Sequence, residues 1–337
     1  MNISRREILR GIAATAVGGG VLQAMEGLAL ALSEKDRASP VVWLNPEGAD
    51  HNFEALLGRV TPGFFDLIAN QWDLRGLDAL RPTGHRLSAK GAPAAAPVLI
   101  LENLPGVDGD GAELADQIAA WLPLAKTAIL LGTAACFGGQ GVAGESVHRF
   151  ERLCRRERTP IIKLPGVPAP PQHLVGVVSH LEFFGFPRLD ALRRPLLYYG
   201  ESVCRACERR DDLETGRFAA SLGERGCLLT LGCKGPLTHN SCSSARWNGG
   251  ENWCVGAGGP CTGCSEPGFP DHGGLGLYGP LSGGNIADRS LWLQALEGLG
   301  LGILGVAGAG IGLRIARNVL FPAEKEHAEA LPGEGGE

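Results

Sequence analysis

The sequence predicts an α/β protein: a doubly wound parallel sheet, then a small irregular cysteine-rich domain, then a C-terminal transmembrane helix. Three observations predict it. Four short apolar runs alternate with helix-like stretches in the first half of the chain. Eight of the ten cysteines fall between Cys204 and Cys264. A glycine-rich apolar segment lies near the C-terminus, at 291–313.

The four runs are Val41-Val42-Trp43-Leu44, Val98-Leu99-Ile100-Leu101, Ala128-Ile129-Leu130-Leu131 and Ile161-Ile162-Lys163-Leu164. Runs that are continuous and almost wholly apolar, rather than alternating, belong to strands buried on both faces, which is the habit of parallel sheets. Between the second and third runs, Leu114, Ile118, Trp121 and Leu122 recur at helical spacing over 111–122. Strands separated by helices and joined by right-handed crossovers make a flavodoxin-like sheet, assigned here to residues 38–194. In such a sheet the working site lies beyond the C-terminal ends of the strands. Those ends are the segments 45–52, 102–106, 132–139 and 165–171. None carries a G-x-G-x-x-G or Walker pattern, so no nucleotide site is indicated. The alanine-rich stretch from Pro82 to Pro97 reads as a loop.

Composition bounds the function. With 44% hydrophobic and 20% charged residues, most of the 337-residue chain should pack rather than stay unfolded. A net charge of −5 argues against a nucleic-acid partner. The 51 glycines follow no three-residue period, which excludes a collagen-like chain.

The chain ends carry addresses. Arg5-Arg6 precedes a weakly apolar stretch that closes on Ala29-Leu30-Ala31, so residues 1–32 read as a twin-arginine signal peptide. That route exports folded proteins, which suits a chain whose cofactor is inserted in the cytoplasm. Residues 291–313 number 23, long enough to cross a membrane, where about 20 are needed. The spacings Gly298/Gly302 and Gly308/Gly312 suit close helix packing in lipid. Arg314 and Arg317 then place the tail, 318–337, in the cytoplasm and the main domain on the periplasmic or outer face. A buried glycine-rich core segment is the competing reading of 291–313.

The cysteine-rich region, 195–285, runs Cys204-x2-Cys207-x19-Cys227-x5-Cys233-x8-Cys242-x11-Cys254-x6-Cys261-x2-Cys264. Eight thiolates divide into two fours. Iron–sulfur clusters fit the count and the folded-export route, and are favoured. Two structural zinc sites fit the count as well. Disulfides fit an exported protein, though they would not need that route. Cys136 and Cys154 stand apart and read as buried, inert thiols.

The chain resembles the small subunit of membrane-bound NiFe hydrogenases. The resemblance spans nearly the whole chain. It is most specific from Cys227 to Asp271, in Gly232-Cys233-Lys234-Gly235-Pro236 and in Gly259-Pro260-Cys261-Thr262-Gly263-Cys264-Ser265-Glu266-Pro267. The family carries proximal, medial and distal clusters in a line, with a nickel–iron site in the large subunit beside the proximal one. The resemblance gives the distal cluster Cys204, Cys207, Cys227 and Cys233, and the medial cluster Cys242, Cys254, Cys261 and Cys264. The family usually has His at the position of Cys204, and a thiolate there lowers the potential. Many members have Pro at the position of Cys254, which leaves a three-iron cluster. Four cysteines here imply a complete 4Fe–4S cluster.

The proximal site is where this sequence departs from the family. Its aligned ligand positions hold Ala49, Asn52, Ala134 and Val167. The proximal cluster is therefore expected to be absent, leaving two 4Fe–4S clusters. Asp50 and His51 read as loop residues, and Glu54 matches a carboxylate that the family keeps. By resemblance the partners are a NiFe hydrogenase-type large subunit and a membrane cytochrome or quinone-reactive subunit. The chain then relays electrons between them and holds no catalytic residue of its own. The alternative is a hydrogenase-derived two-cluster relay or scaffold that no longer supports hydrogen turnover.

Overall fold

The computed structural model describes residues 39–44, 51–59, 63–70, 72–75, 95–102, 104, 115, 118–139, 142, 144–247 and 250–281. The described residues, up to Leu281, belong to one compact unit. The expected signal segment 1–32, the expected anchor 291–313, the expected tail 318–337, Ala49 and Asp50 lie outside the described residues, as does most of the loop expected from Pro82 to Pro97. Among the described residues no helix is long and apolar enough to cross a membrane.

Five strands make one sheet: β1 (Ser39–Leu44), β2 (Trp72–Arg75), β3 (Val98–Leu101), β4 (Thr127–Leu131) and β5 (Ile161–Leu164). Their spatial order is β2-β1-β3-β4-β5, with every neighbouring pair parallel. This is the flavodoxin order, in which the chain reverses direction across the sheet between β1 and β3. The four strands expected from the sequence appear within two residues of their expected bounds. Strand β2 was not expected. It reads Trp-Asp-Leu-Arg, with charges at alternate positions, and it lies on the sheet edge.

Side chains alternate between two cores, as the pleat requires. Val41, Trp43, Ile100, Ile129 and Ile162 face one layer. There they meet Leu56 of α1 (Asn52–Leu57), Leu67 of α2 (Phe64–Asn70) and Leu174 and Val178 of α5 (Pro171–Phe183). Val42, Leu99, Leu130 and Ile161 face the other. They pack with Cys136 of α3 (Thr133–Phe137) and with Phe150 and Cys154 of α4 (Gly144–Glu157). Cys136 and Cys154 are both fully buried, and burial pushes the Cys154 thiol up to about 12, as befits an inert group.

The helix expected over 111–122 is present at Ala115, Ile118 and Ala119, while Leu114 lies outside the described residues. At Leu122 the chain tightens into a 3-10 turn, Leu122–Leu124. Pro123 lacks the N–H that would continue an α-helix.

Beyond α6 (Leu196–Tyr199) regular structure thins out. The remaining helices are α7 (Arg210–Glu214), α8 (Cys242–Ala245) and two 3-10 turns, Leu228–Leu231 and Gly235–Leu237. The third core is small, and two of the expected ligands belong to it: Cys233 and Cys261 pack with Val203, Leu228, Trp253 and Val255. So limited a core cannot by itself hold a domain of this size. The buried Lys234 closes the region by donating to the carbonyls of Gly232 and Leu277, at 3.1 and 3.4 Å.

Candidate metal centres

The first set of thiols surrounds one cavity. Cys204, Cys207, Cys227 and Cys233 line it together with Trp253 and Val255. Cys204 and Cys207 are placed by the turn that leads into α7. Cys227 ends the extended piece before the 3-10 turn Leu228–Leu231, and Cys233 follows that turn. Several donors aim at these sulfurs. The Arg209 N–H reaches Cys207 at 3.4 Å. The Leu229 N–H reaches Cys227, and the Arg210 side chain reaches Cys204.

The second set is Cys242 at the start of α8, the exposed Cys254, the buried Cys261 and Cys264. Cys242 feels the charge of Cys264, Cys261 and Cys254, and Cys264 that of Cys254, while Cys261 and Cys254 also feel Cys233 of the first set. The Gly263 N–H is aimed at Cys261, the Val167 N–H at Cys264 and the Trp247 side chain at Cys242. The two sets adjoin, because the Lys234 N–H, next to Cys233, donates to the Cys261 carbonyl at 2.7 Å.

Do these residues fit a cluster? The donor set is soft and anionic when deprotonated, as iron–sulfur ligation requires. All ten cysteines are free thiols. Two buried donors among the same residues have no partner: the Trp253 indole N–H at the first cavity and the Asn240 amide. Buried donors are nearly always satisfied, so orphans at a ring of thiols are an invitation to an acceptor such as sulfide. Without a bound cation the thiols hold their protons. Burial first, and neighbouring thiols next, push Cys207 up to about 11, Cys261 to about 12 and Cys264 to about 11. Metal binding therefore releases protons here. Among the described residues no three Cys, His, Asp or Glu side chains converge tightly enough to hold a single metal ion.

Of the positions that the resemblance assigns to proximal ligands, Asn52 is tied in by two hydrogen bonds, and its Nδ2 is a buried donor with no partner among the described residues. Asn52 is buried, and its side-chain oxygen accepts the Ala169 N–H at 2.7 Å. Its own N–H donates to Glu102 at 2.8 Å. Ala134 is buried in α3. Val167 is 41% exposed, following Gly166 in the turn after β5. Gly166 has φ 155, and a Cβ there would come within 2.7 Å of Ala169. The turn therefore requires a glycine at this position. His51 caps α1 in a left-handed conformation, and Glu54 lies in the first turn of that helix.

Sequence reasoning missed Glu102 and His173. Glu102, fully buried at the end of β3, also accepts the Phe53 N–H at 3.1 Å and the Trp43 indole N–H at 3.1 Å. It thus satisfies two of the orphan amides that open α1. His173, fully buried in α5, bonds Tyr199 at 3.0 Å and Ser241 at 2.7 Å. A lone acidic residue beyond a strand and a lone histidine in an apolar helix give no spacing signal that would have revealed either role.

Residues 199–275 match the family model for the C-terminal part of the NiFe/NiFeSe hydrogenase small subunit. The chain is similar to the uptake hydrogenase small subunit of Afipia carboxidovorans, 31% identical over 80% of this chain and 79% of that protein. It is also similar to the quinone-reactive Ni/Fe-hydrogenase small chain of Wolinella succinogenes, 38% identical over 50% of this chain and 48% of that one. Among solved structures it matches a chain of the NiFeSe hydrogenase from Desulfovibrio vulgaris Hildenborough. There the TM-score is 0.60 and the identity 26%, over 72% of this chain and 98% of that one. With its sheet order, its two sets of four thiols and these matches together, the chain belongs to the hydrogenase small-subunit family.

Proposed function

We propose that this chain is the iron–sulfur electron-transfer subunit of a membrane-bound hydrogenase-type oxidoreductase, relaying electrons between a large subunit and a quinone- or cytochrome-bearing membrane partner. The carrying observation is the grouping of eight thiols into two adjoining sets of four, each with donors aimed at sulfur. Cys204, Cys207, Cys227 and Cys233 would hold one 4Fe–4S cluster. Cys242, Cys254, Cys261 and Cys264 would hold the other. Such clusters accept and release single electrons. The protein supplies the ligands, shields them with a small apolar core and directs N–H groups at them. The quinone-reactive relative supports a quinone-linked partner. The twin-arginine signal at 1–32 and the apolar segment at 291–313 support an exported, membrane-anchored subunit with its C-terminus in the cytoplasm.

Asn52, Ala134 and Val167 favour a second reading, a relay that no longer supports hydrogen turnover. Amide and hydrocarbon side chains offer iron no soft anionic ligand. Without a proximal cluster a gap opens between a nickel site in the large subunit and the second set of thiols. Electron tunnelling falls exponentially with distance, so hydrogen oxidation through this chain should be slow. The test is to co-purify the chain with its large subunit and follow hydrogen-dependent dye reduction. Little or no reduction supports the second reading. Brisk turnover would restore the ordinary hydrogenase reading. Whether the neighbouring large-subunit gene keeps both nickel-binding C-x-x-C pairs separates the two from sequence alone.

A further inference from the structure

Two turns in this chain keep their form although the thiolates that the family places in them are gone. They are Gly132-Thr133-Ala134 after β4 and Pro165-Gly166-Val167 after β5. Their hydrogen bonds explain what they still do. Thr133 binds the neighbouring turn twice: its N–H donates to the Gly166 carbonyl at 3.1 Å, and its hydroxyl oxygen accepts the Gly166 N–H at 2.9 Å. The same hydroxyl donates to the carbonyl of Cys264. The Val167 N–H faces the Cys264 sulfur and favours its thiolate.

A second arm leaves the same turn. The Tyr199 hydroxyl donates to the Pro165 carbonyl at 2.9 Å. Its single proton is thereby used, so its oxygen accepts from His173 Nδ1 at 3.0 Å. That fixes the His173 tautomer, with the proton on Nδ1 and Nε2 bare. Nε2 then accepts the Ser241 hydroxyl at 2.7 Å. Ser241 is the residue before Cys242 and caps α8. Tyr199 and His173 are 1% and 0% exposed, and Ser241, at the end of the path, is half-buried. Among the described residues the path ends on the Cys264 carbonyl and on Ser241, the neighbour of Cys242, and on no residue next to a thiol of the first set.

We propose that these two turns, with Tyr199 and His173, are the outer shell of the second set of thiols, positioning Cys264 and Cys242 and setting the potential of the cluster they hold. This rests on the relay reading above. Outer-shell partners fix the orientation of ligands, and hydrogen bonds to ligand sulfur raise the reduction potential of iron–sulfur centres. The turns persist because the second set depends on them, whatever has become of the proximal site.

The experiment uses the full chain, purified without air together with its partner, and titrates both clusters by potential while their spin signals are followed. Thr133→Val keeps the shape and removes the hydroxyl. Thr133→Ser keeps the hydroxyl. Tyr199→Phe removes only the link from His173 to Pro165. The cluster altered by Cys254→Pro is thereby identified as the second one. Its midpoint should fall in Thr133→Val and shift in Tyr199→Phe, the other cluster should titrate as in the parent chain, and Thr133→Ser should behave as the parent. If Thr133→Val does not fold, Tyr199→Phe carries the test. Unchanged midpoints in the variants, or equal shifts in both clusters, would overturn the proposal. A parent chain without iron–sulfur absorption would instead sink the relay reading on which it rests.

Discussion

Arg194 donates from Nη1 to Glu266 Oε1 at 2.9 Å, and this ion pair ties the end of the sheet region to the cysteine-rich region. The same guanidinium donates from Nε to Asp190 at 2.7 Å and from Nη1 to the Ser265 carbonyl at 3.2 Å. Its side chain is 4% exposed, and those of Asp190 and Glu266 are 17% and 13% exposed, so the joint is largely shielded from water. Ser265 and Glu266 directly follow Cys264, which places this joint beside the second set of thiols.

Removing Arg194 should therefore leave two largely shielded carboxylates without their cation, held by backbone N–H groups. Arg194→Met is expected to cost about 3 kcal/mol, the usual penalty for breaking a buried pair from one side. Arg194→Lys should recover only part, because an ammonium cannot reproduce the forked contacts. Urea unfolding of the variants would check this. A loss under about 1 kcal/mol for Arg194→Met would contradict it.

Acid should act through His173. Burial pushes its imidazole down to about 3, against an ordinary value of 6.5. The fold thus holds it neutral, whereas the unfolded chain protonates it below 6.5. Its contribution to stability is complete above 6.5 and is lost as pH falls from there toward 3, with a limiting slope of about 1.4 kcal/mol per pH unit. His173→Gln should flatten the fall in stability between pH 7 and pH 5. Equal slopes for the parent and the variant would show that other groups govern acid sensitivity.

Cys254 is the exposed member of the second set. Cys254→Pro should convert that cluster to a three-iron form with its own spin signal when oxidised, leaving the first cluster intact. An unchanged oxidised spectrum would mean that the eight thiols are grouped otherwise.

A chain ending after Arg289 should leave the membrane fraction, since the apolar segment 291–313 is then gone. Full retention in the membrane would assign anchoring to a partner. Replacing Arg5 and Arg6 by Lys should keep the protein in the cytoplasm; normal export of that double variant would remove the twin-arginine assignment.

The sequence made some of this legible and hid the rest for physical reasons. Strands β1, β3, β4 and β5 could be read because both of their faces are buried and nearly every residue is apolar, the buried Lys163 of β5 being paired with Glu151. Strand β2 is short and lies on an edge, so Asp73 and Arg75 break the pattern that marks the others. The helix leading to Trp121 was legible by its spacing, and Pro123 sets where it gives way to a 3-10 turn. Cysteine count and spacing suggested two fours, and the resemblance assigned the members. The roles of Glu102, Thr133 and His173 were not legible. Each arises where distant segments meet: Glu102 with the start of α1, Thr133 with Cys264, and His173 with Ser241, which is 68 residues away.

The central claim is that this chain holds two 4Fe–4S clusters and no third. The most direct measurement is iron and acid-labile sulfide per chain in the anaerobically purified protein, read together with its visible absorption. About eight iron atoms and eight sulfides are predicted, four of each per cluster. About twelve of each would restore a proximal cluster, and stoichiometric zinc without visible absorption would contradict iron–sulfur ligation altogether.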